Sequence, residues 1–153
     1  MPKPLYKGHA QSLDGRLSWD VIIPKFSLGT PRRRRVSFQI QFLMKNNSEA
    51  PLIVHTQIQS LTETLRFQFV KVTTLGKNRV SEEREIRTGA IKRKLRPHQE
   101  IALHFFAKYH SQLSHQNSLD LGLEYIISAF DVNGKIISHS DPYQIVIPLT
   151  RRI

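Results

Sequence analysis

The 153-residue chain has no cysteine, few glycines and few acidic residues, and each shortage narrows what the protein can be. Without cysteine there are no disulfides, no thiolate metal ligands and no cysteine nucleophile. The seven glycines form none of the glycine-rich loops that cradle phosphate groups. A disulfide-stapled secreted module is therefore a poor interpretation of this sequence.

Long apolar runs are also missing. No stretch reaches the ~18 consecutive apolar residues of a membrane span. Residues 1–8 include lysines but no apolar segment follows them, so we expect no secretory signal. A cytoplasmic location is the resulting expectation, with the nucleus or the inner surface of a membrane as alternatives.

Motifs of catalysis are the next absence. The chain contains neither Gly-x-Ser-x-Gly nor His-Glu-x-x-His. The carboxylates of Glu82, Glu83 and Glu85 alternate with arginines, which is typical of a solvated face that neutralises itself. The sequence therefore predicts a protein that is not an enzyme.

Three histidines lie near one another in sequence: His104, His110 and His115. Their spacing does not place ligands together on one side of a helix, and no carboxylate joins them. Surface histidines, which gain charge at mildly acidic pH, are the preferred interpretation over a zinc site. We expect no metal and no cofactor.

Positive charge, in contrast, is present in excess. The chain has 23 lysines and arginines against 12 acidic residues, a formal net charge of +11. Self-repulsion on this scale destabilises a compact fold, which suggests that a partner uses the charge. Nucleic acid, an anionic lipid surface and an acidic protein are the partners that fit.

Apolar residues alternate with polar ones along most of the chain, most regularly in residues 36–44, and no segment has a helical period. About eight strands are predicted, at 17–24, 36–44, 52–59, 65–74, 101–109, 119–130, 136–137 and 143–149. Residues 80–87 form either an edge strand or one turn of helix. The alternation changes phase near Val70, which indicates a β-bulge. Asn133-Gly134 lies between apolar runs and predicts a hairpin.

This pattern predicts an all-β fold: one antiparallel β-sandwich, immunoglobulin-like or jelly-roll-like, with a barrel left open as an alternative. Residues 16–153 form the predicted domain. Residues 1–15 hold two prolines and two glycines with little periodicity, and are interpreted as a flexible basic arm.

Exposed aromatic side chains would favour base stacking with single-stranded nucleic acid. Five phenylalanines alternate with polar neighbours and are predicted to be buried instead: Phe38, Phe42, Phe67, Phe69 and Phe105. Trp19, Tyr6 and Tyr109 are the aromatic residues left to stack. Nucleic acid, if bound, is therefore expected to be held through its phosphates.

Two basic clusters are the candidate binding residues. Four consecutive arginines precede the strand at 36–44, with no acidic residue within ten positions, and a second cluster before Pro97 is assigned to a loop. Arginine suits phosphate because its planar guanidinium forms bidentate bonds. The alternative is solvated charge that keeps the protein soluble. The predicted polyanion-binding residues are Arg32, Arg33, Arg34, Arg35, Lys92, Arg93, Lys94 and Arg96.

The predicted combination of a basic, cysteine-free β-sandwich and a basic arm resembles viral matrix or coat-type proteins in general character. That resemblance implies a structural protein that binds RNA or an anionic membrane surface and assembles into a homo-oligomer. The alternative is an immunoglobulin-like adaptor module. It would take a segment of an acidic protein partner as an added strand at an open sheet edge.

Overall fold

The computed structural model describes residues 4–12, 14–24, 35–61, 66–76, 80–86, 89–110, 118–139 and 142–150. Within these ranges the chain forms eleven β-strands and no helix. The strands are β1 Tyr6–Gln11, β2 Leu17–Ile23, β3 Arg35–Asn46, β4 Leu52–Ser60, β5 Arg66–Thr74, β6 Val80–Glu85, β7 Ala90–Leu95, β8 Glu100–His110, β9 Ser118–Phe130, β10 Ile136–His139 and β11 Tyr143–Thr150.

The strands form two antiparallel sheets. Sheet 1 has six strands in the order β1-β2-β3-β8-β5-β6. Sheet 2 has the order β10-β9-β4-β7, with β11 also paired to β9. Because β4 occupies one side of β9, β10 and β11 lie end to end along the other side. The predicted all-β sandwich is confirmed, with eleven strands where about eight were expected.

The core lies between the sheets and follows from the alternation of apolar residues. On β3, Phe38, Ile40 and Phe42 are fully buried, while the residues between them lie on the outer face. The ring of Phe42 meets that of Tyr125 on β9 edge-on, with 5.1 Å between the centroids. Apolar side chains from both sheets thus pack into one layer.

Two segments that the sequence assigned to an arm or a loop are strands. β1 lies within the predicted arm, but all six of its residues pair with β2, so that part of the arm prediction is wrong. β7 contains most of the predicted basic loop, and Ile91 and Leu95 face the core. Its alternation is hard to recognise because Arg93 occupies the inward position between them. Residues 1–3 of the predicted arm lie outside the described residues.

The predicted bulge is confirmed, and it corrects a second prediction. The register between β5 and β8 shifts between Phe67 and Phe69. As a result Phe67 is buried, whereas Phe69 points outward and is 44% exposed. The prediction that Phe69 is buried is therefore wrong, while the other four phenylalanines are buried as expected. Trp19 is also corrected, because it lies in the core at 2% exposure instead of being available to stack.

Residues 80–85 resolve to an edge strand, β6, paired with β5. The predicted hairpin at Asn133-Gly134 joins β9 to β10. The amide of Gly134 donates to the carbonyl of Asp131 at 3.0 Å, and Gly134 has a φ of 85°. This left-handed conformation is readily available to glycine, which explains the residue at the turn.

Candidate polyanion interface

Of the two predicted basic clusters, the second and the backbone of Arg35 from the first lie within the described residues, at opposite ends of β3. The side-chain amide of Asn46, the last residue of β3, donates to the carbonyl oxygens of Leu95 and Arg96, at 3.2 Å each. The first residue of β3 is Arg35, and twelve residues of extended strand span roughly 36 Å. The backbone of Arg35 is therefore separated from the second cluster by the length of β3.

The arginine cluster falls mostly outside the described part of the chain. Arg32, Arg33 and Arg34 lie outside it, as does the side chain of Arg35. The backbone of Arg35 pairs with that of His110 at the end of β8. The side chains of Tyr109 and His110, and all of His115, also lie outside the described residues.

The second cluster lies on β7, the edge strand of sheet 2. Lys92 and Lys94 point outward and are exposed, and Arg96 is exposed immediately after the strand. None of the three forms an ion pair with an acidic side chain that the structure describes. These three cations are accessible to a partner.

Arg93 is different from its neighbours. Its side chain points inward and donates from Nη1 to Oε1 of Glu82 at 2.8 Å. Glu82 belongs to β6, the edge strand of the other sheet, and also forms an ion pair with Nε of Arg84 at 3.3 Å. Arg93 thus links the margins of the two sheets, and we assign its charge to the fold and not to a partner.

Apolar side chains lie beside Lys94 on the outer face of sheet 2. The register across the outer face of sheet 2 runs from Lys94 through Ile53 and Phe130 to Ile136. Ile136 is 54% exposed, and Val132 at the hairpin tip is 53% exposed. Such a group of cations beside exposed aliphatic side chains is unusual on a surface that meets only water.

We call this surface the basic apolar rim. It consists of Lys92, Lys94, Arg96 and Lys135 together with Ile53, Phe130, Val132 and Ile136. Its apolar half was missed by sequence reasoning. The signal that could have found it is the pair of aliphatic residues flanking Asn133-Gly134-Lys135, since exposed turn tips are usually polar.

A polar row lies behind the rim on the same face. Lys92, His55, Ser128 and His139 are opposite one another on four adjacent strands. Ser128 Oγ and His139 Nδ1 are 2.8 Å apart and share a hydrogen bond. Burial, and then the charge of Lys92, lowers the pKa of His55 below its usual value. His55 is therefore neutral at pH 7, and the lysines supply the charge.

The acidic residue of the hairpin is held in the turn by hydrogen bonds to its carboxylate. Asp131 Oδ1 accepts hydrogen bonds from the backbone amides of Asn133 and Lys135, both at 2.9 Å. Such an Asx arrangement stabilises the turn and holds Val132 at its tip.

No protein-family model and no curated protein matches this sequence. Among solved structures, it is similar to a FixG-related protein from Vibrio parahaemolyticus, with 9% identity, coverage of 90% of this chain and 98% of that one, and a TM-score of 0.45. It is also similar to the collagen-binding domain of a Staphylococcus aureus adhesin, with 7% identity, coverage of 77% and 96%, and a TM-score of 0.40. A third is AvmM, described as catalysing macrocyclization in alchivemycin A biosynthesis, with 13% identity, 90% of both chains covered and a TM-score of 0.43. These similarities concern the β-sandwich alone.

Two further observations apply to the described residues. No three histidine, aspartate or glutamate side chains there lie close enough to hold a metal ion. No helix there is long and apolar enough to cross a membrane.

Proposed function

We propose that this chain is a non-enzymatic protein that binds an anionic membrane surface through the basic apolar rim and self-associates there. The observation that carries the proposal is the register that aligns Lys94 with Ile53, Phe130 and the exposed Ile136. Phosphates of RNA would use the cations but gain nothing from the aliphatic side chains. A lipid surface uses both, because apolar groups enter the interface while cations meet the headgroups.

The magnitudes support weak binding by one copy and stronger binding by several. Val132 and Ile136 are about half exposed, so removing the rest of their surface from water is worth roughly 1 kcal/mol each. Four cations near an anionic surface contribute about 1 kcal/mol each. Before ordering costs, the total of roughly 6 kcal/mol corresponds to a Kd in the tens of micromolar. Association of several copies on one surface would raise the affinity without new contacts.

Vesicle flotation tests the proposal. The protein is mixed with vesicles of phosphatidylcholine alone or with phosphatidylserine, at low and high salt. Binding is expected only with phosphatidylserine, and it should weaken as salt rises. The triple variant Lys92→Gln, Lys94→Gln, Arg96→Gln should lose most of the vesicle binding. The double variant Val132→Ser, Ile136→Ser should lose only the component of binding that does not depend on salt concentration.

A matched control removes three charges elsewhere. Lys7, Lys45 and Lys71 lie on the outer face of sheet 1, and their replacement by glutamine leaves the rim intact. This control should bind the vesicles nearly as well as the parent. Equal losses in both triple variants would mean that net charge alone drives binding, and the rim would be refuted. An Arg32–Arg35 to alanine variant, tested in parallel with vesicles and RNA, measures what the arginine cluster adds.

The second candidate is an adaptor that binds an acidic segment by strand addition. It is supported by the position of β7, which pairs with β4 on one side and carries Lys92 and Lys94 on its outer face. A peptide added along β7 would place carboxylates beside these lysines. A monomeric protein that binds an acidic β-peptide and ignores vesicles would favour this function over the first.

A further inference from the structure

We propose a second binding site, on the outer face of sheet 1, where the bases of a single-stranded nucleic acid stack on Phe69 and Phe106. The site lies on the opposite sheet from the basic apolar rim and does not depend on it. It also differs in kind, because it recognises the flat faces of bases and not only phosphate charge.

The bulge in β5 creates the site. It turns Phe69 from the core to the surface and places it directly opposite Phe106 on β8. Phe69 is 44% exposed on β5 and Phe106 is partly exposed on β8, the fifth and fourth strands of the six-stranded sheet. Bulges often re-aim a side chain near a functional site, and two adjacent phenylalanines on an open sheet face form a platform for stacking.

Polar groups suited to base edges surround the platform. Gln39 on β3 lies opposite Phe106, and Gln41 lies opposite His104 in the next outward row. Each glutamine amide offers both a donor and an acceptor, and can adjust to different bases. Burial, and then the charge of Lys71, lowers the pKa of His104, so its imidazole is neutral at pH 7 and available for hydrogen bonding or stacking.

Acidic side chains border the platform on the β6 side. Lys71 lies two positions from Phe69 on the same strand. On β6, Glu85 lies directly opposite Phe69 and Glu83 directly opposite Lys71. The phosphates of a nucleic acid would therefore lie over β3 and β8, away from the carboxylates of β6.

The size of the platform sets the length of the contact. A shallow concavity of about 320 Å³ lies against Phe69, Phe106, Lys71 and Glu83. It has room for one base, and a second can stack at the adjacent ring. We therefore expect a site of two or three nucleotides with little sequence preference.

The experiment measures fluorescence anisotropy of a labelled single-stranded RNA of twelve nucleotides. The same oligonucleotide with three central bases removed keeps every phosphate and serves as the substrate control. The parent should bind the intact RNA about tenfold more tightly than the abasic one. Phe69→Ala should weaken binding to the intact RNA about tenfold and remove this preference, whereas Phe69→Tyr, which keeps a ring, should bind like the parent.

A second readout does not depend on the stability of Phe69→Ala. Trp19 is the only tryptophan and is buried, so a Phe69→Trp variant adds one exposed indole. Stacking of a base on it should quench its emission. Equal binding of intact and abasic RNA, or an unquenched Trp at position 69 in saturating RNA, would overturn the proposal.

The two proposed sites can fail separately. The rim variant Lys92→Gln, Lys94→Gln, Arg96→Gln should keep the preference for intact RNA. Sedimentation of Phe69→Ala tests whether a second copy of the chain covers the platform instead. An oligomer that dissociates in this variant, with RNA binding unchanged, would assign the face to self-association and refute the nucleic-acid site.

Discussion

The hydroxyl of Tyr125 connects the two sheets through one hydrogen bond, and its removal is a sharp test of the packing. Trp19 Nε1 on β2 donates to Tyr125 Oη on β9 at 3.3 Å, and both side chains are buried. The ring of Tyr143 stacks on that of Tyr125, with 4.9 Å between centroids and 10° between planes. Burial raises the pKa of Tyr125 to about 12, which keeps the hydroxyl protonated across the range where the protein is folded.

The expected cost of Tyr125→Phe follows from the group that it leaves behind. The indole N–H of Trp19, a side chain that is 2% exposed, would lose its acceptor. An unsatisfied buried donor costs about 1–3 kcal/mol, and the bond is long, so we expect about 1–2 kcal/mol. For a domain of this size the melting temperature should fall by roughly 2–8 °C.

Urea unfolding measures this cost, because Trp19 is the only tryptophan and its fluorescence reports on the core. Tyr143→Phe is the control, since Tyr143 is 36% exposed and the loss of its hydroxyl should cost less than about 0.5 kcal/mol. In a Trp19→Phe background, where unfolding is followed by circular dichroism because the tryptophan is gone, the cost of Tyr125→Phe should nearly vanish. A Tyr125→Phe protein as stable as the parent, with an unchanged urea slope, would refute the reasoning.

Three further predictions concern other contacts. A Cβ at Gly89 would run into the carbonyl oxygen of Ile58, so Gly89→Ala should cost about 1–3 kcal/mol in urea unfolding, and a neutral substitution would contradict this packing. Arg93→Gln and Glu82→Gln should show a coupling of about 0.2–1 kcal/mol in a double-mutant cycle, because their exposed pair is screened by water; zero coupling would remove the link between sheets. His104 has a pKa below its usual 6.5, so the unfolded chain binds its proton first. The free energy of unfolding should therefore fall as pH drops below about 6.5, less steeply in His104→Gln, and identical pH profiles would contradict this.

The sequence predicted the strands in which apolar and polar residues alternate without interruption. Phe38, Ile40 and Phe42 alternate without interruption, so β3 and its buried face were readable. β7 was not, because its inward position at Arg93 is charged, and only the facing Glu82 explains why a cation fits there. The pattern within one strand indicates which of its own side chains are buried. It cannot indicate that a charged side chain is balanced by an acidic residue on another strand.

The candidate sites depended even more on strand pairing. Lys94 could be chosen from charge alone, but its apolar neighbours lie on β4, β9 and β10, and only the register brings them together. The same register separates the backbone of Arg35 from the end of β7 by the length of β3. The bulge near Val70 was predicted from the phase change. The position of Phe69 depended on where in β5 the extra residue falls.

The pairing of β3 with β8 determines how early during synthesis sheet 1 can be completed. Lys45 pairs with Glu100 and Arg35 with His110, so these partners are 55 to 75 residues apart in the chain. At about 5–20 residues per second, a ribosome delivers β8 roughly 3–15 seconds after β3. During that interval β3 can pair with β2 but has an open edge beside Phe38, Ile40 and Phe42. Newly made chains therefore expose an aggregation-prone strand edge until β8 has been synthesised. When the protein is made at a high rate, its folding should depend on chaperones that cover this edge.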